Sequence, residues 1–504
     1  MRRTTRRARS LLAIAAVALL GVILGGCVET AAEGYVAPTS TAEPVFQPVR
    51  SSTPRPTAAA ELTAADIEQA LEEIVCWYED PAQARSCLPP GEEFLGALEQ
   101  IALSDDQRFI APLVDMLWLD VGWERWVREA LERLSGERFA SAGEWYAWMT
   151  GNPPPLPDNY VEWKGRLLAI IDPGLAEILP SEGTFDGPGP EALVWSLEGA
   201  DAVPPLVDPE DVHRVEEQYL GGGDVVYGVV IDGVQRAYPE RIIGWHGSVA
   251  DEVNGTRILV WHCAACGGAA VFNRAASDGV EYTFSTAGFV WEGRRLFTDA
   301  ETLSLWDAVS GRAVAGPLAA QGVALTVRNS VRTTWNEWQA RYPNSRVLSL
   351  NTGHVRDYDE GRSLQSDSRG EHPAFPTGDL DDRLEAKTRV LGVTIGGVRK
   401  AYPLADLEAR GLTFDRVGDV GVVIYSAGPG LGATVYETAG TDFQSFTGSP
   451  EDRVARDAEE LTWFVDDERL LNTRNSRVRN AQVAQVAYWF AWSGAFPDTQ
   501  LWEP

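Results

Sequence analysis

Residues 261–272 read WHCAACGGAAVF, which sets Cys263 and Cys266 in a CxxC pair with His262 beside the first, in a chain of five cysteines and five histidines. Three chemistries fit such a pair. A thioredoxin-like couple needs its cysteines at a helix start, where the helix N-terminus lowers the thiol pKa; here Cys266 runs into GGAAVFNR, two glycines and an apolar strand. A metal knuckle suits the CxxCG turn better, because the glycine takes the backbone conformation that lets both sulfurs face one ion. Two thiolates make half of a tetrahedral site, and His262 or His246, at the end of AYPERIIGWH, would supply nitrogen. Sulfur with imidazole suits zinc or copper(I), and only three methionines argue against a methionine-based copper trap. The third chemistry is a plain Cys263–Cys266 disulfide, which an oxidising compartment favours.

The compartment is legible at the start. MRRTTRRARS carries five arginines and no acid, then LLAIAAVALLGVILGGC runs apolar to small residues before Cys27. The run is too short for a comfortable membrane span, which needs about 20 residues. Residues 1–27 read as a signal peptide in which Leu24-Gly25-Gly26-Cys27 resembles a bacterial lipobox, so Cys27 is expected to be acylated and the chain held by a lipid anchor on the extracytoplasmic face of a membrane. Loss of the five leader arginines takes the formal charge from −30 to −35. So acidic a surface repels phosphate backbones, which excludes nucleic acid as a partner.

Residues 28–60, rich in Pro, Ser, Thr and Ala, read as a disordered tether. Residues 61–155 then keep helical spacing in ELTAADIEQALEEIVCWYED, EEFLGALEQIAL, DQRFIAPLVDMLWL and WERWVREALERLSG, a HEAT-like helical module expected to bind a protein partner or brace a neighbouring domain. Cys76 and Cys87 flank a Pro-containing turn inside it, and an exported chain is expected to join them as a disulfide. A connecting segment, 156–189, follows.

From there the character is mainly β. Short β-branched runs are separated by turn signals such as Asp232-Gly233 and Gly396-Gly397. The β half also repeats itself. VYGVVIDGVQRAYP from Val226 matches VLGVTIGGVRKAYP from Val390, and the offset of 164 holds without a gap from Gly228 with Gly392 to Phe272 with Tyr436. WNEWQARYP, from Trp335, keeps the spacing of WFAWSGAFP, from Trp489. The expected architecture is an α+β multidomain chain, with the helical module followed by a duplicated, mainly β domain of copies 190–350 and 351–504. At this offset His246, His262, Cys263 and Cys266 of copy one face Arg410, Ser426, Ala427 and Gly430 of copy two. Residues that packing required would recur, so the asymmetry points to a site in copy one; a lone disulfide gained by that copy would look the same.

The succession GVVIDGVQRAYPERIIGWHGSVADEVNGTRILVWHCAACGGAAVFNR, LSLWDAVSGRAVAGPL, TTWNEWQARYPNSRVLS and NTGHVRDY resembles the DUF3179 family of uncharacterised exported bacterial and archaeal proteins, over about residues 158–504. The family turn resembles CPLCG; Cys263, Cys266 and Gly267 fill its places, with Ala264-Ala265 between. His246 matches the Trp-His pair of the family, which makes it the ligand implied by resemblance, whereas His262 is the ligand implied by adjacency. The resemblance also draws in Arg356, Asp357 and Tyr358, with His354 two residues before the arginine, as a further candidate site or loop anchor. No GxSxG elbow, HExxH helix, P-loop or Rossmann fingerprint is present, so hydrolase, zinc-protease and nucleotide readings lack support. The expected function is metal handling, or metal-dependent redox, at a copper or zinc site of Cys263, Cys266, His246 and His262. The competing expectation is a non-catalytic extracytoplasmic binding or scaffold protein whose cysteines are structural disulfides.

Overall fold

The computed structural model describes residues 92–504 apart from 119–123, 170, 180–184, 187–188, 197–198, 200–202, 214–217 and 359–369. Cys27, Cys76, Cys87, the leader and the tether lie outside the described residues. No helix among the described residues is long and apolar enough to cross a membrane.

Helices come first. They are α1 (Glu92–Leu103), α2 (Ile110–Trp118), α3 (Glu124–Ser135), α4 (Ala142–Gly151), α5 (Tyr160–Ala169) and α6 (Pro173–Ile178). α3 is amphipathic and buries Val127, Ala130, Leu131 and Leu134. α2, IAPLVDMLW, is apolar nearly all round and is buried along its length. The one acid in it, Asp115, is satisfied inside the core by the Tyr146 and Tyr160 hydroxyls and by Lys164 Nζ at 2.9 Å. Lys164 also donates to the carbonyls of Pro190 and Leu193. A buried cation is costly unless it is paired and hydrogen-bonded, so this network ties the helices to the first strand. The segment after residue 155 is thus itself helical: α5 and α6 send Leu168, Leu175 and Ile178 into a shared core with Ala287, Phe289 and Leu296 of the β region.

The rest is mostly β. β1 (Leu193–Trp195), β2 (Leu206–Val207) and β3 (Asp211–His213) precede β4 (Val225–Ile231), β5 (Val234–Pro239), α7 (Glu240–His246), β6 (Ser248–Val253), β7 (Thr256–Cys263) and β8 (Gly268–Ala276). Next come β9 (Phe284–Trp291), β10 (Arg294–Asp299), β11 (Leu305–Asp307), β12 (Ala313–Ala315), β13 (Leu325–Arg328), β14 (Val331–Thr334), α8 (Trp335–Arg341) and β15 (Arg346–Leu348). The second half has β16 (Arg389–Ile395), β17 (Val398–Pro403), α9 (Leu404–Arg410), β18 (Leu412–Val417), β19 (Val420–Tyr425) and β20 (Thr434–Glu437). It ends with β21 (Phe443–Thr447), β22 (Val454–Asp457), β23 (Thr462–Val465), β24 (Arg469–Asn472), β25 (Val478–Asn480), β26 (Ala484–Tyr488), α10 (Trp489–Ala495) and β27 (Gln500–Leu501).

The pairings of the two halves run in the same order. β14-β4-β5-β15 form one sheet and β26-β16-β17-β27 another, with the last pair parallel in each. Asp232-Gly233 and Gly396-Gly397 turn the β4–β5 and β16–β17 hairpins with positive φ at both residues, as a two-residue turn with the strand twist demands. Trp338 lies over Gly228 and donates to Ser345 Oγ at 2.8 Å; Trp492 lies over Gly392 and donates to Thr499 Oγ1 at 2.8 Å. Tyr238 donates to Asp251 and Tyr402 to Asp415, each at 2.8 Å. The aromatic pairs that keep their spacing in sequence are therefore core.

The halves meet through backbone. A Cβ on Gly268 would stand 2.2 Å from the Val486 carbonyl oxygen, and a Cβ on Gly432 would stand 2.2 Å from that of Arg332. Only glycine permits either approach. Alanine at position 268 or 432 is expected to cost about 1–3 kcal/mol, as overpacking of a dense core does, with the larger loss at Gly432, whose φ is +72°. Urea denaturation measures it; unchanged midpoints for both variants would show that the halves are not locked there.

Candidate functional site

Cys263 is the last residue of β7, and Cys266 returns its N–H to the Cys263 carbonyl at 3.1 Å, so the two close a tight turn before Gly267, whose φ is +85°. Their sulfurs are bonded to each other, with Cα atoms 5.1 Å apart. Both residues are buried, in a core shared with Trp261, Phe272, Phe297 and Trp306. Beside them Gly268–Ala270, Ala308 and Val309 of the first half and Gln485–Ala487 of the second line a void of only about 10 Å³, so both halves wall the sulfurs.

The histidines lie elsewhere. Along a strand successive side chains point to opposite faces, so with Cys263 turned to the Trp261 side, His262 looks the other way, toward Tyr227 and Glu240. His246, at the end of α7, has Nδ1 2.8 Å from the Pro204 carbonyl and Nε2 2.7 Å from the Tyr358 hydroxyl. The structure therefore brings Cys263 and Cys266 together and does not bring either imidazole to them. No group of three or more His, Cys, Asp or Glu side chains among the described residues is placed to hold a metal ion.

Residues 354–358 form a loop rather than a strand. Tyr358 is its buried member: the hydroxyl donates to His246 Nε2 and takes a hydrogen bond from Thr352. The His354 ring lies tilted against that of His246, with centroids 5.3 Å apart, and the Arg356 guanidinium lies 5.8 Å over the Trp245 ring. Asp357 is exposed on this loop. Burial, aided by the charges of His354 and Arg356 and opposed by the Pro204 carbonyl, pushes the His246 pKa down to about 4. His246 is thus a neutral anchor for the loop beside a cleft of about 350 Å³ lined by residues 205–210 and 351–354.

On the face to which His262 turns, a second set of polar groups converges. Tyr227 donates to Glu240 Oε1 at 3.0 Å, and His262 Nε2 stands 3.6 Å from the same oxygen. Arg332 pairs across the β4–β14 ladder with Tyr227, hydrogen-bonds to it, and interacts with Glu240 and Tyr488. Burial would raise the Glu240 carboxyl, but His262, Arg332 and Tyr227 hold it down at about 2, so it stays ionised. The second half closes the set. Arg389 reaches the Tyr488 hydroxyl at 3.3 Å and the Gly267 carbonyl at 3.5 Å, while the Tyr488 N–H donates to the Cys266 carbonyl at 2.7 Å. The Tyr488 ring lies against Gly267. Tyr227, Glu240, Arg332, Arg389 and Tyr488 are absent from the residues that sequence spacing singled out. The signal for Tyr227 and Glu240 was available, since the offset of 164 sets them opposite Leu391 and Leu404.

Residues 200–499 match the family model described as Protein of unknown function (DUF3179). No curated protein and no solved structure matches the chain.

Two outcomes are expected. In chain purified without reductant and then denatured, Cys263 and Cys266 escape thiol labelling until reduced; labelling before reduction, blocked by bound metal, would overturn the disulfide. Because the folded pKa of His246, about 4, lies below the ordinary value near 6.5, its stabilising contribution is full above pH 6.5 and is lost as pH falls toward 4. Between pH 7 and 4.5 the wild type should lose on the order of 2–3 kcal/mol more than His246→Phe in urea titrations. Parallel losses in the two proteins would remove that role.

Proposed function

Since the chain belongs to the DUF3179 family, matched over residues 200–499, and the description of that family names no activity, we propose from the site itself that this is a lipid-anchored extracytoplasmic binding protein with one ligand site at the joint of a duplicated β domain. The observation that carries the reading is a one-sided substitution within matched backbone. Tyr227 and Arg332 face each other across β4 and β14, as Leu391 and Val486 do across β16 and β26. Glu240 opens α7 where Leu404 opens α9. The His262 N–H donates to the Gly247 carbonyl as the Ser426 N–H donates to that of Gly411. The scaffold therefore forms with apolar or small residues at all four places, and one copy alone carries the polar set.

Such a set is not the cheapest way to fill the space. Replacing buried charged groups by apolar residues of similar volume is often neutral or stabilising, so their retention favours a task other than holding the fold. The Cys263–Cys266 disulfide serves here as a buckle on the turn that supports Tyr488 and Arg389, and a disulfide suits an exported chain. Copper or zinc at these sulfurs would require reduction and an imidazole brought round from the opposite face, so the geometry supports the binding-protein reading over metal handling. The helical module acts as a brace, since its buried Asp115–Lys164 pair and α5–α6 are spent on the β region.

Giving copy one the residues of copy two, as Tyr227→Leu, Glu240→Leu and Arg332→Val together, is expected to leave the melting temperature unchanged or raise it by a few degrees. A fall of more than about 5 °C, which at this chain size is about 4 kcal/mol, would assign the set to the fold and end the proposal.

A further inference from the structure

We propose that the site at the joint binds a small molecule through an oxyanion group, a carboxylate or a phosphate, held between the Arg332 and Arg389 guanidiniums; this rests on the binding-protein reading above. Four observations lead there. The two arginines come from different halves of the chain: Arg389 donates to the Tyr488 hydroxyl at 3.3 Å, Arg332 hydrogen-bonds to Tyr227 and is within electrostatic reach of Tyr488, and Lys387 Nζ is 5.3 Å from the centre of the Tyr488 ring. In a chain of net charge −30 such a gathering of cations is local chemistry, not a reflection of composition. A donor is left over inside it: Arg332 Nε is buried without a hydrogen-bond partner, and His262 Nδ1, in a residue only 4% exposed, is likewise unpartnered. An unpaired buried donor is costly, and an acceptor arriving at Arg332 would satisfy it.

The fourth observation is that the positions equivalent to these, across the joint, carry none of the same side chains. Arg389 pairs with Tyr488 on β16 and β26, where Val225 pairs with Thr334 on β4 and β14. The counterparts of the six residues are thus Leu391, Leu404, Ser426, Val486, Val225 and Thr334, among which no charge remains. Arginine is the side chain whose planar fork matches carboxylate and phosphate oxygens two at a time. Glu240, kept ionised and already engaged by Tyr227 and His262, fixes those two side chains and leaves the face formed by Arg332 and Arg389 for the ligand. Arg332, Arg389 and Glu240 are all partly exposed, so the site is open to solvent.

The test is thermal shift and calorimetric titration of the full chain, purified from the envelope in detergent, with inorganic phosphate and with succinate as probes. A saturable rise in melting temperature with either probe is expected, phosphate alone indicating a phosphate-bearing ligand and succinate alone a carboxylate. Arg332→Val and Arg389→Val, each the residue that the other half carries at that place, should weaken binding by about tenfold or more. If one variant fails to fold, the other decides. Absence of a shift with both probes, or binding unchanged in the folded variant, would overturn the oxyanion proposal. Should the Tyr227/Glu240/Arg332 replacement keep its stability while neither probe binds, the oxyanion alone fails and the binding site stands; should that replacement unfold, the site reading fails with it.

Discussion

The β region depends on one constraint, that two glycines let the backbones of its halves touch. Gly268 stands where any side chain would strike the Val486 carbonyl, and Gly432 where it would strike that of Arg332. The two contacts are reciprocal: each half offers the glycine that follows its β7-like or β19-like turn and receives it on the edge strand, β26 or β14, of the other. That approach brings β26 alongside β8 and so delivers Tyr488 to Gly267 and Cys266. It equally fixes the carbonyl of Arg332, and thereby the direction in which that side chain leaves the strand. A site built from both halves is then a geometric consequence of the joint.

The Cys263–Cys266 bridge belongs to the same logic. The turn it closes carries three carbonyl or contact positions that the second half uses: the Cys266 carbonyl for the Tyr488 N–H, the Gly267 carbonyl for Arg389, and the Gly267 surface for the tyrosine ring. A loop this short gains little from cross-linking in the unfolded-chain sense, on the order of 2 kcal/mol. Its larger effect is local, since it removes freedom from the one turn on which cross-half contacts converge. The second half makes the equivalent turn with Ala427 and Gly430; there Arg341 reaches the Leu431 carbonyl at 3.4 Å, but Thr334 stands at the place of Tyr488 and Val225 at that of Arg389. The buckle occurs at the turn that bears the tyrosine.

Much of this was legible in the sequence, and the limits have physical causes. The offset of 164 reported the repeated β4–β5 and β16–β17 hairpins because turn glycines and strand periodicity are local signals. The helices over EEFLGALEQIAL and WERWVREALERLSG were legible for the same reason, and the latter ends at Gly136 with φ +76°. The adjacency of His262 to Cys263 misled, although strand alternation already places such neighbours on opposite faces. His246 could not be assigned from its neighbourhood, because its partners are Pro204 and Tyr358, the latter 112 residues away. Arg389 and Tyr488 carry no motif at all. Their role exists only once a glycine–carbonyl contact between distant strands has set one half against the other.

Two halves with matching strand pairings offer two equivalent places, and the polar set occupies one of them. Each polar side chain in that place is stabilised by another member of the set: Glu240 is kept ionised by His262, Arg332 and Tyr227, and Tyr227 finds in Glu240 an acceptor for its hydroxyl. Removing a single member would leave a half-buried charge or a donor without its partner, which costs more than the pair is worth. Such a set is hard to lose stepwise and hard to assemble stepwise, whereas an all-apolar filling such as Leu391, Leu404 and Val486 tolerates piecemeal change. Its confinement to one half, next to the turn that is also bridged, sets these four polar side chains against Arg389 and Tyr488 of the second half.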